Sequence, residues 1–177
     1  MGDLYDNVSE SRTALEKLAA KIPGVGGYLE REKRRQTDKV VRENIGNRFQ
    51  EQLGRLSEIQ VTLVNEGAIE HVDDVERAVV KLRMFIDAVT TAAYGYSGFF
   101  DTVKVNEDEL EKLYEYDLAM LDGVEKLSNA IDNLNMSIGG EGVAAAVRHV
   151  VTTAQEGVTA FEHRKDVLAF SPSNQPD

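Results

Sequence analysis

The stretch Asn106–Met136 reads NEDELEKLYEYDLAMLDGVEKLSNAIDNLNM. Its apolar residues recur at the helical period while one acid interrupts them, and this decides the fold class. Asn106, followed three residues later by Glu109, is a capping-box variant. The amide oxygen serves the first unpaired backbone N–H groups and the carboxylate reaches back. A helix is therefore predicted from about Glu107. Leu110, Leu113, Tyr114, Leu121, Val124, Leu127, Ile131 and Leu134 follow at spacings that gather them on one face. With Leu110 at 0°, Tyr114 lies at about 40°, Leu121 at about 20°, Val124 at about 320° and Asp117 at about 340°. A carboxylate is thus directed into the apolar stripe.

The same period extends outward from this stretch. On its C-terminal side, Ser137–Gly142 ends the helix with a double glycine. Glu141–Leu168 then carries Val143, Val147, Val150, Val151, Ala154, Val158, Phe161 and Leu168. So many valines could be read as a strand, but the spacing predicts a helix. On its N-terminal side, Val72–Tyr94 has Asp73 and Asp74 in its first turn, which suits the helix dipole, and a stripe of Val75, Val79, Leu82, Ile86, Val89 and Ala93. Between them, Tyr94–Asp101 concentrates four aromatic residues and two glycines and is expected to be a structured connection.

Tyr28–Asn65 contains no proline and predicts one long helix of roughly 57 Å, with Val41, Ile45, Leu56, Ile59 and Leu63 along one side. Its apolar side is polar in front. With Val41 at 0°, Arg34 and Gln52 lie at about 20°, Asp38 at about 60° and Arg48 at about 340°. Asp6–Ile22 predicts a short amphipathic helix with Val8, Leu15, Leu18 and Ile22, ended by Pro23 and the glycines that follow. The expected architecture is all-α, an antiparallel bundle of four long helices over residues 28–170. An N-terminal helical arm at 1–22 precedes it, and a tail at 171–177 is expected to be disordered.

The totals narrow the function classes. A chain of 177 residues with 42% apolar composition supports one core. A formal charge of −11 lacks the basic footprint that nucleic acid requires. The absence of cysteine excludes disulfides, a thiolate nucleophile and cysteine-held clusters, and fits the cytoplasm. The N-terminus is acidic where a signal peptide is basic, and no apolar run reaches about 18 residues, so neither export by that route nor a transmembrane segment is expected.

Asp117 is the sharpest candidate, because a buried carboxylate must find a cation, hydrogen bonds or a proton. Arg48 and Gln52, or the hydroxyls of Tyr94 and Tyr96, are the expected partners in a buried polar layer that fixes helix register. The blander alternative puts Asp117 at the rim of the core. No Glu-x-x-His pair of the kind found in carboxylate-bridged metal bundles occurs. His149, Glu156 and His163 are spaced by seven, but they fall on the face opposite the Val147 stripe, where a solvated surface is expected. No metal or cofactor is expected. Gly24–Gly27 lacks the remaining features of a phosphate loop and reads as a hinge.

Charge is segregated along the chain. Tyr28–Arg55 has eight bases against five acids, while Asp101–Val147 has eleven acids and three lysines. The two regions can meet within one subunit or between subunits. Arg31, Lys33, Arg34, Arg35, Lys39 and Arg42 form the expected interaction surface. These features point to a non-catalytic helical scaffold or adaptor that binds protein, its own copies or another. A carboxylate-rich bundle that binds a metal ion or small anion is the first alternative. The second is peripheral binding to an anionic membrane surface through the N-terminal arm and the basic helix.

Overall fold

The hydrophobic periods become helices in a computed structural model that describes residues 14–25, 34–91 and 107–169. These helices are α1 (Ala14–Lys21), α2 (Arg34–Asn65), α3 (Val72–Thr91), α4 (Glu107–Ser137) and α5 (Val143–Ala169), with a 3-10 turn at Ile69–His71 before α3. Among the described residues there is no strand, and the valine-rich α5 is helical as its spacing predicts. The expected helical starts at Asp6 and Tyr28, the Tyr94 end of α3, the Tyr94–Asp101 connection and the 171–177 tail lie outside the described residues.

Local chemistry sets the helix ends. At the end of α2, Ala68 N–H bonds to the Leu63 carbonyl at 2.8 Å and Gly67 N–H to the Val64 carbonyl at 3.2 Å. This paired closure requires a left-handed residue, and Gly67 supplies it with φ +77°. Asp73 and Asp74 occupy the first turn of α3, where the helix dipole favours negative charge.

Residue pairs between helices give the topology. Arg42 reaches Val89, near the end of α3, and Gln60 reaches Glu76, near its start, so α2 and α3 are antiparallel. Arg164 meets Asp117 and Gly157 faces Gly123, so α4 and α5 are antiparallel as well. The two hairpins then lie side by side. Arg48 lines a surface groove with Glu125, and further along Arg55 bonds to Ser128 and Asp132, so α2 runs parallel to α4. Lys81 meets Gln155 and Phe85 meets Phe161, so α3 runs parallel to α5. Around the core the order is α2, α3, α5, α4. The consecutive helices α3 and α4 therefore occupy diagonal corners.

The predicted stripes meet in the middle. Val41, Ile45, Leu56, Ile59 and Leu63 of α2, Val75, Val79, Leu82, Ile86 and Val89 of α3, and Leu113, Tyr114, Leu121, Val124, Leu127, Ile131 and Leu134 of α4 are all buried. Phe49, Phe85 and Phe161 form a chain of edge-to-face rings with centroids 4.7 and 5.6 Å apart, linking α2, α3 and α5. Such pairs add to the stabilisation from apolar burial. The described part of the N-terminal arm also joins the core. Leu18, Ile22 and Val25 are at most 1% exposed, and α1 packs along α4. Among the described residues no helix is long and apolar enough to cross a membrane.

Candidate functional site

Four charged side chains are buried together toward the end of the bundle where α2 and α4 begin. Asp38 and Arg42 are one turn apart on α2, Asp117 projects from α4 and Arg164 from α5. All four are at most 2% exposed. Arg164 donates from Nε to Asp117 Oδ1 at 2.6 Å and from Nη2 to Asp38 Oδ1. Arg42 donates from Nε to Asp38 Oδ2 at 2.8 Å and from Nη1 to the Val89 carbonyl at 2.9 Å. Asp38 thus bridges two guanidinium groups, one with each oxygen, and the layer ties all four long helices together.

Two positive and two negative charges cancel, which is what makes their burial tolerable, since an unpaired buried ion is penalised by several kcal/mol. Among the described residues, Asp117 Oδ2 and Arg164 Nη1 have no hydrogen-bond partner. Burial pushes the Asp117 carboxyl up to about 6, and the attraction and hydrogen bond of Arg164 only partly counter it. Burial also opposes the charge of Arg164, but Asp117 and Asp38 outweigh it and hold the guanidinium above its ordinary value.

The residues expected around Asp117 are placed differently. Arg48 does not pair with it; its Nη2 donates to the Lys21 carbonyl at 2.9 Å, at the end of α1. Gln52 is buried and accepts a hydrogen bond from Arg55 Nη1 at 2.8 Å. Tyr94 and Tyr96 lie outside the described residues. The cation that does pair, Arg164, was legible in part. Phe161, Arg164 and Leu168 follow at spacings of three and four, a core row with a guanidinium in it.

The expected basic surface also changes. Arg42 is a correction: it faces the interior, because Asp38 one turn before it and the Val89 carbonyl satisfy its guanidinium there. Lys39 is exposed and lies 3.7 Å from Glu43. Arg31 and Lys33 lie outside the described residues, as do the side chains of Arg34 and Arg35. His149, Glu156 and His163 are exposed on α5. Among the described residues no group of three His, Asp or Glu side chains could hold a metal ion.

A second arrangement lies on the outside, along the seam of α2 and α4. Here α1 is gripped at both ends: Ala14 N–H donates to Glu111 Oε1 at 2.6 Å and the Lys21 carbonyl accepts from Arg48. Lys21 Nζ reaches Asp122 Oδ1 at 3.0 Å and Glu125 Oε1 at 3.1 Å, and these two bonds, Asp122 first, hold its ammonium above the ordinary lysine value. Part of the acidic run of α4 is therefore spent on α1, and Arg55 takes up Asp132. A shallow groove of about 580 Å³ crosses α5 between Lys81 and Tyr116, floored by Ala119, Val151 and Ala160.

Comparison with protein families, with characterised proteins and with solved structures found no match to this chain.

Proposed function

We propose that this chain is a non-catalytic helical scaffold or adaptor that acts in the cytoplasm by associating with protein, either its own copies or a different partner. The observation that carries the reading is the α2/α4 seam. It holds a helix by its N-terminal N–H, its C-terminal carbonyl, its lysine and its apolar face. A groove that recognises an amphipathic helix works in this way. The interior supports the same reading from the other side. Asp38, Arg42, Asp117 and Arg164 pair with one another, and they line neither the Lys81–Tyr116 groove nor the Arg48–Glu125 groove. Val61, Val64, Ile69 and Met136 add exposed apolar surface toward the opposite end of the bundle.

Light scattering over a concentration series, at low and high salt, tests the reading together with affinity capture on immobilised chain. A mass that rises with concentration, or a stoichiometric captured protein, is expected. A single-chain mass throughout, with nothing retained, overturns it.

A further inference from the structure

The described part of the helix that occupies the α2/α4 seam is Ala14–Lys21. Most helical stability in proteins comes from packing of an apolar face, and the buried face of α1, Ala14 and Leu18, packs along α4. The receiving surface is matched to the helix in charge. Glu111 stands at the end of α1 where the helix dipole is positive, and Arg48 at the end where it is negative. Asp122 and Glu125 receive Lys21. Every one of these receiving groups belongs to α2 or α4, and none of the contacts depends on α1 belonging to the same chain.

We infer that the α2/α4 seam is a self-association surface on which α1 of a second copy docks in place of the molecule's own, so that two copies exchange their N-terminal helices. The inference rests on the association reading above and names its partner. Exchange preserves each contact of the closed monomer, because the incoming helix has the same sequence as the one it replaces. Concentration, rather than a new set of interactions, drives the dimer.

Charge reversal in full-length chains separates exchange from docking within one chain. Lys21→Glu places a carboxylate against Asp122 and Glu125. The double variant Asp122→Lys/Glu125→Lys places two ammonium groups against Lys21. Within either variant every seam is mismatched, in the monomer and in the dimer alike. In a mixed pair that exchanges α1, both seams carry opposite charges. An equimolar mixture, with each variant first shown by circular dichroism to retain wild-type helicity, is therefore expected to dimerise at least tenfold more tightly than either variant alone. The readout is the weight-average mass by light scattering. A mixture whose mass equals the mean of its two components overturns the exchange. The wild-type concentration series then decides separately whether the association reading survives.

Discussion

Arg164 of α5 donates from Nε to Asp117 Oδ1 of α4 at 2.6 Å, and both side chains are wholly buried. Through Nη2 the same guanidinium also reaches Asp38 on α2, the helix diagonally across the core. One side chain therefore joins the two hairpins.

Removing that cation leaves two carboxylates to share Arg42. Arg164→Met is expected to destabilise the fold by ~3–5 kcal/mol, the usual range for a broken buried pair. Adding Asp117→Leu removes one of the stranded charges and leaves Asp38 with Arg42, so the double variant should be more stable than Arg164→Met alone. Urea unfolding of the four members of this cycle measures the coupling. Additive effects would show that Asp117 and Arg164 do not act as a pair.

Acidification should act through Asp117 in an unusual direction. Its folded pKa is raised to about 6 from an ordinary value of 3.8. The folded chain thus takes up this proton at a higher pH than the unfolded chain does. The contribution to stability is fully present below the ordinary value and is lost as pH rises through about 6. Relative to Asp117→Asn, the wild type is expected to gain stability as pH falls from about 6 toward 4. Thermal unfolding of both chains across that window isolates the effect from the other carboxylates. A flat difference would contradict it.

Glycines on the helices should respond in opposite senses to one methyl group. A Cβ at Gly54 meets nothing within 4 Å, so Gly54→Ala should stabilise by about 1 kcal/mol through helix propensity. A Cβ at Gly157 would stand 3.0 Å from Phe49 Cζ and 3.3 Å from Cε1. There, overpacking should exceed the propensity gain and leave a net loss of about 1 kcal/mol. Urea midpoints compare the two directly.

The grip on α1 can be loosened without touching the core. Arg48→Met removes the donor to the Lys21 carbonyl, a bond worth about 1 kcal/mol, so amides of α1 should exchange roughly fivefold faster. Amides of Leu121 and Val150, buried in α4 and α5, should keep their protection. Equal acceleration in both regions would mean that Arg48 supports the whole fold and not the docked helix.

By itself the sequence determined the helices and the faces they bury. Periodicity is a property of each segment alone, so the stripes of α2, α3 and α4 could be written out residue by residue. The inward aim of Asp117 could be computed from its spacing to Leu110, Leu121 and Val124 in the same way. The tertiary structure alone decided which helices are neighbours, and with that the partner of Asp117. With Val147 at 0°, Arg164 falls at about 260°, the edge of the α5 stripe. A long, flexible side chain at an edge turns inward only if a carboxylate waits there. Arg48 sits closer to the centre of its own stripe, yet it is drawn to the carbonyl at the end of α1. Helix angles locate a Cβ. The destination of a guanidinium several bonds further out depends on which charges the other helices bring within reach, and that follows from setting the two hairpins side by side.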